Sequence, residues 1–378
     1  MTKTEKLLCE LIAMPSINPA FLPLNSPFAG EQGVADFLAA AARRAGLEVE
    51  FQPVLPKRSN LLVRLTPSGK IQHRVLLTPH LDTVGGADVP GTLFTPCVKG
   101  GRLFGRGACD TKGSVAAMFT ALCQLAAGPD RPAHTEIVFA GLIDEECGQI
   151  GSRKLAESGF RAGLAIVGEP TRLKVVTAHK GVLWLRLETQ GKAAHGARPE
   201  LGKNAIHAMA RIVDLLETRY AARLRRRRHP LLGHPTINVG SITGGKQPNI
   251  VPDKCAILID RRTLPGETNK HVIAELKSYL RQNKMSARFS PTQLGLCGPI
   301  ETSLRQPLVQ QLFESIGQTR TVGVDYFSDA GVLSEAGIPS VLFGPGDIAQ
   351  AHTPDEWISL SQLEQSKDLL VKFFSRLS

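Results

Sequence analysis

Several apolar runs of this chain end directly in a histidine or a carboxylate. Residues 75–77 lead into His80 and Asp82, and residues 164–167 lead into Glu169. The other residues of this kind are Asp110 in a glycine-rich turn, Asp144, Glu145 and Glu146 after a third run, and His352 near the C-terminus. In open α/β sheets, binding sites form at the carboxyl ends of the strands. We therefore expect these side chains to converge on one site.

A pair of metal ions is the chemistry that fits such a set. Carboxylates that crowd together repel one another unless a cation holds them. Two histidines and three carboxylates suit two Zn²⁺ ions with one bridging carboxylate. The candidate ligands are His80, Asp110, Glu146, Glu169 and His352. Two such ions activate water at neutral pH and polarise a carbonyl group. Glu145 is then left over as a base, although acidic triplets also occur on solvated surfaces.

The elements that must position these residues alternate between helix and strand up to about residue 178. Residues 31–46 and 114–128 have helical patterns, and the strand-like runs are NLLVRL, RVLLTPH, TEIVFAGLI and LAIVG. This alternation predicts an α/β fold with helices on both faces of a sheet. Because these strands are apolar throughout, they fit the middle of the sheet.

The pattern changes between about residues 179 and 290. GVLWLRLETQG alternates apolar and polar residues, as a half-exposed antiparallel strand does, and a helix follows at about 203–224. Two more strands and a second helix complete an α+β unit. After residue 290 the α/β pattern returns. The sequence therefore predicts a mixed-sheet domain of residues 1–178 and 291–378, with an inserted α+β domain at 179–290.

The bulk composition limits the class of protein. With 378 residues, 42% hydrophobic and 21% charged, the chain is typical of globular proteins. It contains no apolar run long enough to span a membrane. Glu5 and Glu10 interrupt the apolar N-terminal segment, which favours an amphipathic helix over a secretory signal. Seven cysteines without a Cys-x-x-Cys pair favour free thiols in the reducing cytoplasm.

An arginine-rich run at Arg223–Arg228 contributes to the net charge of +11. Such a run can bind nucleic acid. It also suits the solvated C-terminal end of a helix, where positive charge is favourable. No nucleic-acid motif or interleaved aromatic residue accompanies it, and so we favour the solvated helix end.

The motifs together resemble the zinc-dependent amidohydrolases that include acetylornithine deacetylase, succinyl-diaminopimelate desuccinylase, aminoacylase and the glutamate carboxypeptidases. The resemblance covers nearly the whole chain. Its motifs, in family order, are HLDTV, GRGACDTKG, DEECGQIGS, VGEPT, AAHGARPELGKNAI and AHTPDEW. It implies that the five candidate ligands hold two zinc ions per subunit, that cobalt can substitute, and that Asp110 bridges the ions. It further implies that Glu145 is the general base, that Asp82 orients His80, and that the peptide bond after Asp110 is cis.

The resemblance also assigns roles in the inserted domain. It implies a homodimer in which His195 reaches the partner's site and binds the scissile carbonyl oxygen. By residue type alone, His195 would be a turn histidine before a helix. Asn249 and Arg262 match substrate-contacting positions. Asn249 could instead cap a turn, and Arg262 could pair with Asp260. An exposed strand edge in this domain would also favour a two-fold dimer.

These features predict a dizinc deacylase that acts on a small N-acyl amino acid. The stretch GPGDIAQAHTPDEW looks most like the acetylornithine deacetylases. A desuccinylase, another acyl-amino-acid hydrolase, a dipeptidase or a carboxypeptidase is the alternative within the class, because the acyl pocket cannot be read from a sequence. A non-catalytic dimeric binding protein is the alternative from another class, and the intact ligand set with Glu145 argues against it.

Overall fold

The computed structural model describes residues 1–85 and 91–377, and it divides the chain into two compact units. The first unit comprises Met1–Thr177, Thr302–Val322 and Ser328–Ser378. The second comprises Ala178–Glu301 and Gly323–Phe327. The chain thus leaves the first unit, builds most of the second, and returns.

The bounds of the helices and strands are as follows. The strands are β1 (Glu48–Leu55), β2 (Arg58–Leu65), β3 (His73–Thr78), β4 (Cys97–Lys99), β5 (Arg102–Phe104), β6 (Thr135–Gly141), β7 (Leu164–Val167), β8 (Val176–His179), β9 (Gly181–Gln190), β10 (Thr236–Gly244), β11 (Lys254–Thr263), β12 (Arg288–Cys297), β13 (Ile300–Glu301), β14 (Val322–Val324), β15 (Ser340–Leu342) and β16 (Trp357–Ser359). The α-helices are α1 (Lys3–Ile12), α2 (Gln32–Arg44), α3 (Lys112–Ala127), α4 (Ile150–Glu157), α5 (Ala205–Leu215), α6 (Ala221–Leu224), α7 (Asn269–Gln282), α8 (Pro307–Ile316), α9 (Ala330–Glu335) and α10 (Leu360–Phe374). A π-helical turn at Leu216–Tyr220 joins α5 to α6.

Six strands of a nine-stranded mixed sheet form the centre of the first unit, in the order β1, β2, β6, β3, β7, β15. The neighbours β6, β3, β7 and β15 are mutually parallel, whereas β1 and β2 pair in antiparallel fashion. β6 and β7 are buried along their whole length. Their continuous apolar sequences therefore occupy the middle of the sheet, as predicted.

In the first unit α2 packs on β1 and β2, and the other helices pack in two groups. α3 contacts both α1 and α10, and α10 also contacts α8, while α4 packs on α9. Most residues of α3 are buried, because neighbouring helices and the sheet cover it. The small sheet β16, β5, β4 completes the unit.

The second unit is an antiparallel sheet with the strand order β10, β11, β9, β12. On β9, Leu183, Leu185 and Leu187 are buried in a core with residues of α5 and α7. Arg186 lies between them in sequence and is exposed. This alternation of period two is the pattern that predicted a half-exposed strand.

The second unit extends beyond the predicted boundary at residue 290. β12 begins at Arg288 and pairs with β9, which keeps the chain in this unit up to Glu301. Its pairing register shifts between Pro291 and Leu296. A proline and a bulge interrupt the alternating pattern of a strand, so the sequence alone does not identify it.

Two global features of the described residues bear on the sequence predictions. Within residues 1–85 and 91–377, no helix is long and apolar enough to cross a membrane. The seven cysteines all lie in the described residues, and none of them forms a disulfide.

Candidate metal centre

Four neighbouring parallel strands lead to four of the predicted ligands. In the sheet order β6, β3, β7 and β15, the segments that follow these strands carry Glu146, His80, Glu169 and His352. Parallel strands end at the same edge of a sheet, and so these segments meet there. Asp110 joins them from the loop that precedes α3.

Asp110 lies between the two histidines. Its Oδ1 is 3.1 Å from Nε2 of His80, and its Oδ2 is 3.2 Å from Nε2 of His352. Nε2 of His352 is also 3.1 Å from Oε2 of Glu146. Ligand atoms of His80, Asp110 and Glu169 lie within 4.8 Å of one another, as do those of Asp110, Glu146 and His352. The two groups share Asp110, each of whose oxygens faces a different histidine.

The glycine-rich loop that carries Asp110 is anchored by Glu356. The Glu356 carboxylate accepts hydrogen bonds from the backbone N–H groups of Gly107, Cys109 and Asp110, each at 2.9 Å. Gly107 has φ +80°, a conformation that favours glycine and lets the loop turn around this carboxylate. The peptide bond after Asp110 is cis, as the family resemblance implied.

Asp82 connects three residues of the site. Nδ1 of His80 donates to the backbone oxygen of Asp82 at 2.9 Å and lies 3.4 Å from its Oδ1. The two carboxylate oxygens accept the backbone N–H groups of Glu145 and Glu146, both at 3.1 Å. Asp82 therefore fixes the ring of one candidate ligand and the backbone of the acidic triplet together.

The acidic groups are close enough to change one another's ionisation. Burial raises the pKa of Glu169 well above its usual range, and the charge of Asp110 adds to the rise. The same two causes raise the pKa of Glu146 to about 7. Burial also opposes ionisation of Asp110, but hydrogen bonds from His352 and His80 outweigh it and lower the pKa of Asp110. Hydrogen bonds to Asp110 and Glu146 raise the pKa of His352 to about 10. The cluster thus favours positive charge at both histidines.

Divalent cations fit these contacts well. A carbonyl oxygen can only accept, so Nδ1 of His80 carries a proton, and in the neutral ring Nε2 presents a lone pair toward Asp110. Burial opposes protonation of His80, but hydrogen bonds to Asp110 and Asp82 raise its pKa well above the usual range, so without metal a proton lies on Nε2. A bound divalent ion would take the place of that proton. Oε1 of Glu146 is buried and makes no hydrogen bond within the described part of the chain. Nitrogen and oxygen donors in this arrangement suit zinc and similar ions.

Buried polar residues that the sequence did not single out surround the cluster. Asn18 donates to Asp82 at 2.8 Å, and Asp329 accepts from the hydroxyl of Ser152 at 2.5 Å. No periodicity or spacing in the sequence marks Asn18 or Asp329. Glu356 could have been found, since it belongs to the AHTPDEW motif.

The remaining predicted site residues belong to the second unit. Gly196, next to His195, donates its N–H to the backbone oxygen of Asn249 at 2.7 Å, so these two segments lie side by side. Arg262 lies on β11 and donates from Nε and Nη2 to the Asp260 carboxylate at 2.9 Å and 3.0 Å. The ion pair that the sequence left open as an alternative is therefore present.

Part of the arginine-rich run is engaged in ion pairs within the second unit. Arg227 contacts the carboxylates of Glu267 and Glu275, and Nε of Arg223 lies 3.6 Å from Glu275. These contacts agree with a solvated helix end.

Known proteins match the chain over nearly its full length. Residues 177–287 match the M20 peptidase dimerisation domain, and residues 60–169 match peptidase family M28. The chain is 32% identical to the acetylornithine deacetylase of Myxococcus xanthus, across 97% of this chain and 95% of that protein. It is also 32% identical to the acetylornithine deacetylase of Edwardsiella ictaluri, across 96% and 94% of the two chains.

Solved structures share the fold. An M20 family metallo-carboxypeptidase from Sulfolobus solfataricus aligns with a TM-score of 0.78 at 18% identity and covers 99% of both chains. A dinuclear metal-binding M20 peptidase from Bacillus subtilis aligns with a TM-score of 0.72 at 13% identity, over 98% of this chain and 96% of that one. The predicted fold class, an α/β mixed-sheet domain with an inserted α+β domain, is confirmed.

The number of bound metal ions should fall when a residue of either candidate ligand group is replaced. Glu169→Gln and Glu146→Gln each alter a candidate ligand of one group, and if both groups bind metal, each variant should bind one ion fewer than the unsubstituted protein. Asp110→Asn weakens both groups and should lose most of the metal. Elemental analysis after dialysis against a divalent metal measures this, with the exposed Glu335→Gln as the control. Undiminished metal content in Asp110→Asn would contradict a shared carboxylate.

Proposed function

Because the chain belongs to the M20 family of metal-dependent hydrolases, together with the acetylornithine deacetylases, we propose that it hydrolyses the amide bond of an N-acyl amino acid. The main support for this activity is the pair of candidate ligand groups that share Asp110. The similarity to acetylornithine deacetylases extends over nearly the whole chain. N-acetylornithine is therefore the first substrate to test.

We infer that the two ligand groups would hold two Zn²⁺ ions, for which Co²⁺ can substitute, and would share Asp110. His80 and Glu169 would hold one ion, and His352 and Glu146 the other. Ions of this kind polarise an amide carbonyl and lower the pKa of water. The His352 side chain is 54% exposed, whereas that of His80 is 2% exposed. Substrate would therefore reach the centre from the side of His352.

Glu145 is the group that we assign to proton transfer. Asp82 binds the backbone N–H of Glu145 and does not use the Glu145 carboxylate, which can therefore take part in proton transfer. Burial raises the pKa of Glu145 well above its usual range, against the opposing charge of His80, and Glu169 adds to the rise. A carboxylate with a raised pKa can take a proton from the attacking water and deliver it to the leaving nitrogen.

We further propose a homodimer in which His195 completes the site of the partner. β10 lies at the edge of the second sheet, and most of its residues after Val239 are exposed. An exposed edge favours pairing, and a two-fold dimer would cover it. Nδ1 of His195 accepts the N–H of Ala197 at 3.1 Å. In the neutral ring the proton is then on Nε2, which can donate to the developing oxyanion.

Asn249 and Arg262 are our candidates for substrate contacts. Asn249 is exposed and lies beside the His195 segment. Arg262 uses Nε and Nη2 to bind Asp260, and within the described residues its Nη1 makes no hydrogen bond. That nitrogen could therefore receive a substrate carboxylate without breaking the ion pair.

A hydrolysis screen tests the proposed activity. N-acetylornithine should give the highest kcat/KM among N-acetyl amino acids, N-succinyl-diaminopimelate and dipeptides. A chelator should abolish hydrolysis, and Zn²⁺ or Co²⁺ should restore it. Faster cleavage of the succinyl substrate or of a dipeptide would reassign the substrate, and full activity after verified metal removal would exclude a metal-dependent reaction.

Replacing the proposed base should separate proton transfer from metal binding. Glu145→Gln should lower kcat by about 10²–10⁴-fold, the range for general acid–base catalysis. Its metal content should stay near that of the unsubstituted protein, because Glu145 is not assigned as a ligand. The exposed Glu157→Gln serves as the control. A variant that loses metal but keeps kcat per bound metal would show that Glu145 is a ligand.

Subunit mixing tests the role of His195. His195→Ala should lower kcat by about 10²–10³-fold, the cost of one lost oxyanion donor. Metal content and dimerisation should not change, and His207→Ala, another exposed histidine of this unit, should be silent. Mixing His195→Ala with Glu145→Gln chains should restore activity in part, because one site of each mixed dimer has both groups. No recovery after proven subunit exchange would place His195 outside the partner's site.

A further inference from the structure

Asn18 is a buried amide that joins two carboxylates beside the metal centre. Its Nδ2 lies 2.8 Å from Oδ2 of Asp82 and 2.9 Å from Oδ1 of Asp144. We propose that Asn18 is a positioning residue that holds Asp82 in the orientation which the metal centre requires. This inference rests on the proposed function, because it concerns the same site.

The hydrogen bonds of Asn18 permit only one orientation of its amide. The residue is fully buried, and its Oδ1 accepts the N–H of Ala20 at 3.1 Å. Its backbone N–H donates to the oxygen of Thr83 at 2.9 Å. Reversing the side-chain amide would turn Oδ1 toward two carboxylates and lose all three side-chain hydrogen bonds. The side chain is therefore fixed both by its own backbone and by its partners.

An amide is well suited to this position because it faces two buried carboxylates. Asp82 is fully buried and Asp144 is 5% exposed, so the oxygens of each carboxylate need hydrogen-bond donors from the protein. The two hydrogens on Nδ2 allow one donor for each carboxylate. A hydroxyl side chain offers a single hydrogen, and an aspartate in place of Asn18 would add a third negative charge. Asparagine satisfies both partners without changing the charge of the site.

Asp82 in turn contacts the residues that would bind metal or transfer protons. Its Oδ2 accepts both the Asn18 amide and the N–H of Glu146, and its Oδ1 accepts the N–H of Glu145. Nδ1 of His80 lies against the same residue. Loss of the Asn18 amide would leave Oδ2 of Asp82 with one hydrogen bond instead of two and would weaken the hold on this carboxylate. One candidate ligand and the acidic triplet would then lose their common support.

Asp144, the second carboxylate that Asn18 binds, is held in place by other residues. Nη2 of Arg58 lies 3.2 Å from its Oδ1, and Nε of Arg58 donates to Glu31 at 2.8 Å. Glu31 in turn accepts the N–H of Asp144 at 3.2 Å. Asp144 also has φ +68°, a conformation that is uncommon for residues other than glycine. Because Arg58 and Glu31 both hold Asp144, the hydrogen bonds of Asn18 connect Asp82 to a carboxylate whose position is fixed.

Asn60 provides a matched control. It is also fully buried, and its Nδ2 donates to Gln52 at 2.8 Å and to the backbone oxygen of Gly151 at 2.9 Å. Its Oδ1 accepts the N–H of Ile143 at 3.2 Å. Asn60 therefore makes the same kinds of hydrogen bond in the same unit, but its partners do not include Asp82. Asn60→Ala measures the cost of losing a buried amide in general.

The test compares Asn18→Ala with Asn60→Ala in the full chain. Metal affinity, measured by competition with a chelating dye, should fall about 10–100-fold in Asn18→Ala, the usual effect of losing a group that orients a metal ligand. It should remain near the unsubstituted value in Asn60→Ala. The Tm of the metal-free protein should fall in both variants. If the chain hydrolyses N-acyl substrates, kcat should fall in Asn18→Ala more than KM rises.

Equal metal affinity in Asn18→Ala and the unsubstituted protein would contradict the proposal, as would equal losses in the two alanine variants. Asn18→Ser keeps one donor and should show an intermediate metal affinity. If Asn18→Ala does not fold, the test uses Asn18→Ser. A folded Asn18→Ser that binds metal as tightly as the unsubstituted protein would then overturn the proposal. Metal affinity needs no substrate. Failure of the proposed function would therefore appear as a chain that binds metal and cleaves no acyl substrate, whereas failure of this inference would leave affinity insensitive to Asn18.

Discussion

Buried carboxylates that repel one another lie at the candidate metal centre of the first unit, and the loops around them are built to hold them together. Asp110, Glu146 and Glu169 contribute ligand atoms to two adjoining groups, and burial makes each negative charge harder to hold. The cluster persists because positive charge can lie on both sides of Asp110, where the two histidines contact different oxygens. A pair of divalent ions at these positions would serve the same electrostatic need and would supply the chemistry of amide hydrolysis.

The fold meets this constraint by building the site from rigid elements. Parallel strands in the middle of a sheet end at one edge, and the segments after them carry one candidate ligand each. Two further carboxylates bind the backbone of the loops around the centre. Glu356 binds the N–H groups of the loop that carries Asp110, and Asp82 binds those of the acidic triplet. These contacts stabilise the loops in the geometry that brings like charges together.

The sequence predicts what depends on local pattern. His80 and Glu169 each follow an apolar run, and so their positions in the chain are enough to identify them as candidate ligands. Asn18 has no such local mark, because its role comes from hydrogen bonds to Asp82 and Asp144, which lie 64 and 126 residues away along the chain. β12 was missed for a different reason, since its pairing is interrupted after Pro291. Candidate ligands that follow an apolar run can therefore be predicted from the sequence. A residue such as Asn18, which acts through hydrogen bonds to distant parts of the chain, can be recognised only in the folded structure.

Anomalous diffraction from crystals grown with Zn²⁺ would show directly whether two ions share Asp110. We expect two anomalous peaks in the first unit, one near His80 and Glu169 and the other near His352 and Glu146, with Asp110 in contact with both. Two peaks with a shared Asp110 would establish that this carboxylate organises the site. A single peak at saturating Zn²⁺, or ions that Asp110 does not contact, would contradict it.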